Sequence, residues 1–157
     1  MAKKPEPTKL ERRQVAVEAM LKEFSTRPFG FGKTKNADCM KMSLFLLHKM
    51  GVKTPGSSRL GNYKNPVMAR QALRRAWEVK TVNEWADKHF ERIAPAEALP
   101  GDLLAGQESE DHALGALMVY VGNGNVATFT EEHDTLVIGE LTFEPGLEPI
   151  GAWRTLP

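Results

Sequence analysis

The sequence predicts an α+β fold in which a helical N-terminal half packs on a small antiparallel sheet. Amphipathic and apolar stretches with helix-start signals fill the chain to about residue 90. From Pro95 onward the texture is short β-prone stretches punctuated by Gly, Asn, Asp and Pro. With 157 residues there is material for one hydrophobic core, so one domain over residues 9–157 is expected behind a flexible Lys- and Pro-rich arm at residues 1–8.

Thr8-Lys-Leu-Glu11 has the spacing of a capping box and opens the first helix. Leu10, Val17, Met20, Leu21 and Phe24 fall on one face of it, which assigns the helix to packing. A second helix starts near Asn36 to Asp38 and ends at Met50, with Gly51 in the left-handed position. Its residues, Cys39-Met-Lys-Met-Ser-Leu-Phe-Leu-Leu-His-Lys-Met50, are apolar around most of the circumference, so it is expected to be the central, most buried helix. Asn65-Pro66 is a cap followed by proline at the first helical position and opens a basic helix through Trp77. Thr81-Val-Asn-Glu84 repeats the capping-box spacing before a short helix through Phe90.

The strands are read from Leu99-Pro-Gly-Asp102-Leu-Leu, Ala113 to Val121, Val126 to Thr130, Thr135 to Phe143 and Pro149 to Arg154, forming one meandering sheet. Gly122-Asn-Gly124 joins two of them in a tight hairpin, because such a turn needs residues that tolerate positive φ. Trp77, Trp85 and Trp153 are assigned to packing, since nothing arranges them as a stacking platform.

The balance of 41% hydrophobic and 26% charged residues is that of a globular protein and argues against disorder. A formal net charge of +1 supplies no large field, so nucleic acid is not an expected partner. Arg70, Arg74 and Arg75 read as a solvated helix face, with an acidic partner protein as the other reading and with Glu78 and Glu84 near enough to offset their charge. The N-terminus lacks the apolar stretch of a signal peptide, and Leu44-Phe-Leu-Leu47 is far short of the roughly 20 residues a membrane span needs. No ligand spacing implies a metal or organic cofactor.

One cysteine rules out an intrachain disulfide and leaves two readings, a small buried residue or a nucleophilic thiol. The amides and dipole of a helix start stabilise thiolate, so Cys39 stands where a nucleophile would be useful. A cysteine hydrolase needs a base and a group to orient it. Of the four histidines, His48 is nine residues from Cys39, about half a turn off its face. His89 and His133 read as solvated, in a short surface helix and a polar hairpin loop. His112, at the entry to the Ala113–Val121 strand, is the candidate base.

Phe29-Gly-Phe-Gly32, Asp38-Cys39, Leu99-Pro-Gly-Asp102 and Val119-Tyr-Val-Gly-Asn-Gly124, in this order, resemble the NlpC/P60 group of papain-like cysteine peptidases. Gly61-Asn-Tyr63, the helix Ala69-Arg-Gln-Ala-Leu-Arg-Arg75, Leu114-Gly115 and a terminal Ala152-Trp-Arg154 make the chain similar to a phage- and prophage-encoded branch of that fold from about Pro28 to Thr155. The resemblance implies Cys39 as nucleophile supported by Asp38, a base on the strand that ends in the Tyr-Val-Gly-Asn-Gly turn, and an orienting residue near Thr128. Counting back from Tyr120 puts the base position at Ala116, whereas aligning on Gly115 puts it at Ala113, beside His112.

Two functions follow from the resemblance. One is a virion or tail protein that keeps the fold, has a degenerate catalytic site and acts by contacts with other phage proteins. The other is an active hydrolase that cleaves amide bonds of peptidoglycan stem peptides. Both expect synthesis in a bacterial host cytoplasm without a signal peptide, followed by incorporation in a virion or release to the wall.

Overall fold

Each of the four long helices begins where a short polar side chain accepts a hydrogen bond from an otherwise unpaired amide. The computed structural model describes residues 3–28, 30, 38–106, 116–129 and 135–157. Helix α1 (Lys9–Phe24) is capped by Thr8, α2 (Cys39–Met50) by Asp38, α3 (Pro66–Trp77) by Asn65 and α4 (Val82–His89) by Thr81. Gly51 ends α2 at φ 78°, in the left-handed position. Phe29, Phe31, Gly32, Asn36, His112, Ala113, Leu114, Gly115 and His133 lie outside the described residues.

The strands are β1 (Glu91–Arg92), β2 (Leu103–Ala105), β3 (Leu117–Gly122), β4 (Asn125–Thr128), β5 (Val137–Glu140) and β6 (Gly151–Arg154). They form one antiparallel sheet in the order β1-β6-β2-β3-β4-β5. Strands β2 to β5 are the expected meander, but β6 returns across the sheet to pair with β2, and the two-residue β1 extends that edge. The return corrects the purely meandering reading. The β3–β4 hairpin turns as expected, with Gly122, Asn123 and Gly124 all at positive φ.

Alternation along the strands divides the sheet into two faces. Leu103, Ala105, Leu117, Val119, Ala127 and Trp153 join the main core with the helices, while Leu104, Val126 and Ala152 form a smaller cluster on the other face. Being covered on both sides, all three residues of β2 are buried. The main core receives Met20 and Phe24 from α1, Leu46 and Met50 from α2, Leu73 and Trp77 from α3, and Trp85 from α4. Leu10 departs from the expected apolar face of α1; it is 51% exposed, because the buried stripe runs through Arg13, Ala16, Val17, Met20 and Phe24 instead.

Arg13 occupies a core position because its charge is fully engaged. Its guanidinium donates to Asp102 Oδ1 at 2.9 Å, to the Pro100 carbonyl at 2.8 Å and to the Leu156 carbonyl at 2.7 Å. Asp102, also fully buried, accepts further bonds from the Leu99 amide, the Arg154 guanidinium and Thr155. His89, expected in solvent, instead packs among Trp77, Trp85 and Phe90, with Nδ1 2.8 Å from the Trp85 carbonyl. Among the described residues neither Glu78 nor Glu84 forms an ion pair with the arginines of α3; Glu78 ends that helix at φ 58°, and Glu84 accepts from the Lys80 amide.

The Arg13–Asp102 pair gives a direct stability test. Asp102→Ala should cost about 3–5 kcal/mol in urea denaturation, because it strands a buried guanidinium. Glu23→Gln, which removes only the partly exposed pair with Arg27 on α1, should cost about 1 kcal/mol or less by the same measurement.

Candidate functional site

Cys39 is the first residue of α2, and that helix packs over β3. The backbone N–H groups of Cys39 and Met40 at the helix start, and that of Leu117 at the start of β3, lie close enough to the sulfur to favour its anion. Thr128 on β4 lies beside this strand start, and its hydroxyl donates to the Leu117 carbonyl at 3.0 Å. The Cys39 and Thr128 predicted from sequence are thus gathered around Leu117. His112 belongs to the segment 107–115, outside the described residues. The Gly106 amide donates to the Ala116 carbonyl at 2.9 Å, which pairs the two residues next to Leu117.

Asp38, the residue before the thiol, is buried. One carboxylate oxygen accepts from the Lys41 amide at 2.8 Å, which makes the cap of α2, and the other accepts from the Tyr63 hydroxyl at 2.7 Å. Tyr63 is itself buried, with the Lys41 ammonium 5.6 Å from its ring centre. Ser43, one turn into α2, returns its hydroxyl to the Cys39 carbonyl at 2.7 Å. Sequence reasoning had Tyr63 only as part of a resembling loop and missed the Leu117 amide altogether. No side-chain signal identifies a backbone donor, and Tyr63 meets Asp38 from 25 residues away.

Two opposing effects act on the thiol. Amides of Cys39, Met40 and Leu117 favour thiolate, while desolvation and the charge of Asp38 oppose it. Desolvation is the largest influence, and the thiol is pushed from 9.0 up to about 12. Burial raises the Asp38 carboxyl as well, against the bonds from Lys41 and Tyr63 that lower it. The Tyr63 hydroxyl is pushed up by its own burial and by Asp38, so it stays a donor.

His48 is exposed at the far end of α2, as the helical spacing required. Arg70 and Arg74 are exposed, whereas Arg75 is tied to the Arg59 and Leu60 carbonyls. Among the described residues no group of three His, Cys, Asp or Glu side chains is placed to hold a metal ion, and no helix is long and apolar enough to cross a membrane.

A helix opened by Asp-Cys and packed on an antiparallel sheet is the NlpC/P60 fold, and solved structures bear this out. NlpC2 from Trichomonas vaginalis superposes with a TM-score of 0.62 at 11% identity, over 92% of this chain and 46% of that one. NlpC1 from the same organism does so with 0.62 at 13%, over 97% and 46%. A lipoprotein-like NLP/P60 family protein from Staphylococcus aureus subsp. aureus Mu50 gives 0.62 at 18%, over 100% and 45%. The chain spans less than half the length of each. Within this fold the chain belongs to the family described as Domain of unknown function (DUF6950), which matches residues 8–154. Comparison with the curated proteins returned no match.

Two substitutions separate the roles of Asp38. Asp38→Ala removes both the cap and the acceptor of the Tyr63 hydroxyl and should lose about 1–3 kcal/mol in chemical denaturation. Asp38→Asn keeps a capping oxygen, should stay within about 1 kcal/mol of the parent, and should alkylate faster at Cys39 at any pH because the opposing charge is gone. The raised thiol also sets a pH dependence. Unfolded, Cys39 loses its proton near 9.0 and folded near 12, so the folded state binds the extra proton between them and stability falls as pH rises through that window. Cys39→Ala should make that alkaline fall shallower in denaturation curves.

Proposed function

We propose that this chain is a non-catalytic NlpC/P60-fold module of a phage virion or tail that works by protein contacts. The observation that carries the reading is the state of Cys39. Burial and the charge of Asp38 push the thiol up, against the backbone amides that favour its anion, and thiolate is the nucleophile. Two neighbours support it. The base position counted back from Tyr120 is Ala116, which has no proton to move. The hydroxyl of Thr128 is directed to the backbone carbonyl of Leu117. The virion setting rests on the order of motifs shared with phage-encoded proteins of this fold.

One observation favours the second reading, a cysteine hydrolase acting on stem peptides with His112 as base. Three backbone amides, from Cys39, Met40 and Leu117, lie close enough to one sulfur to favour its anion, and donors so placed also suit a developing oxyanion.

Alkylation of Cys39 by a small electrophile, followed against pH in the parent and in His112→Ala, separates the two. The non-catalytic module should react appreciably only above about pH 10, identically in both proteins, and should release no peptides from purified peptidoglycan. A neutral-pH plateau lost in His112→Ala would establish the hydrolase instead. Ala116→His should bring a base to the strand start beside Leu117 and shift the alkylation profile to lower pH. Virion particles purified from the organism that encodes the chain should contain it by immunoblot, and its absence from them would remove the virion setting.

A further inference from the structure

The near-zero net charge conceals a separation along the chain. All but one of the 21 Lys and Arg residues lie at or before Arg92, the exception being Arg154, while half of the 20 Asp and Glu residues lie from Asp102 onward. The helical part is therefore basic and the sheet part acidic, a polarity that invites association between unlike ends.

Both parts expose apolar side chains among these charges. On α3, Val67, Arg70, Gln71 and Arg74 follow the i, i+3, i+4, i+7 spacing of one helix face and all are exposed, Val67 by 65%. Among the described residues neither Arg70 nor Arg74 has an ion-pair partner. On the acidic side, β5 is the outermost strand of the sheet among the described residues. It exposes Ile138 by 54% together with Glu140, and the segment after it exposes Phe143 by 55% and Leu147 by 64% around Glu144.

Sheet edges in soluble proteins are blunted by lysine, proline or bulges. Strand β5, Val137-Ile-Gly-Glu140, is short and carries one charge, Glu140, but no lysine, proline or bulge, so a cationic surface suits its edge. Two β5 edges laid together antiparallel would set Glu140 opposite Val137 and bring no cation to Glu140 or Glu144, so symmetric edge pairing leaves the acidic charge unneutralised. The surface that fits the edge must bring cations flanked by apolar groups, and the α3 face carries that combination.

We infer that copies of this chain associate with the Val67–Arg70–Arg74 face of one seated on the Ile138–Glu140–Phe143–Glu144 edge of the next. Arginine opposite glutamate sets the register and the encounter rate, and the exposed apolar side chains supply the area removed from water. The inference does not depend on the ionisation of Cys39, and an active thiol would leave it intact.

Sedimentation velocity of the full chain tests it. At about 50 mM salt the chain should form larger species that dissociate to monomer at about 500 mM, where the Debye length has shortened to a few ångströms. Arg70→Glu/Arg74→Glu and Glu140→Lys/Glu144→Lys should each weaken association at least about tenfold, with circular dichroism and thermal unfolding unchanged. Mixing the two variants should restore it, because the reversed face of one then matches the reversed edge of the other. A monomer at low salt, assembly indifferent to either reversal, failure of the mixture to reassociate, or a monomer whose basic face captures an oligonucleotide would each overturn the inference.

Discussion

Four hydrogen bonds converge on the buried carboxylate of Asp102, from Arg13, Leu99, Arg154 and the Thr155 amide, while the Thr155 hydroxyl donates to the Gly101 carbonyl at 2.7 Å. Arg13 extends the network to the carbonyls of Pro100 and Leu156. A carboxylate without water is costly unless all its acceptor sites are used, so this group holds the first helix, the turn before β2 and the chain's last strand in one relative position. The turn itself requires Gly101, at φ 90°, because a Cβ there would stand 2.9 Å from the Met50 sulfur at the end of α2. The Leu99-Pro-Gly-Asp102 motif is thus a structural clamp in this chain.

From that clamp the site follows by packing. Antiparallel pairing of β2 with β3 and β6 places Leu103, Leu117 and Trp153 on the face toward the helices, and α2 lies over it with its start above Leu117. Cys39, Thr128 and Leu117 meet because one strand pairing and one helix docking bring them there. The Asp38–Tyr63 hydrogen bond then ties the start of α2 to the loop that leads into α3.

The chemistry at Cys39 is a contest whose sides differ in size. A helix start is worth up to about 2 kcal/mol to an anion, or about one and a half pH units at 1.36 kcal/mol each. The rise from 9.0 to about 12 exceeds that, because desolvation acts on the whole ion and the adjacent Asp38 charge adds to it. Position at a helix start therefore does not by itself make a reactive thiol.

The features legible in the sequence are those closed over a few residues. The caps at Thr8, Asp38, Asn65 and Thr81, the left-handed Gly51 and the Gly122–Gly124 hairpin are each determined within four or five positions, since a side chain bonds to a nearby amide or a turn requires positive φ. The order of motifs was enough for the NlpC/P60 fold. Only the tertiary structure decided that β6 crosses back to β2, that Leu10 faces solvent while Arg13 lies in the core, that His89 sits among aromatic rings, and that Tyr63 holds Asp38. Arg13 and Asp102 are 89 residues apart, and Leu117 reaches Cys39 from a different element. Periodicity reports which face of a helix is apolar on average, but a partner that neutralises a buried charge, or desolvation that raises a thiol, exists only once distant segments are packed together.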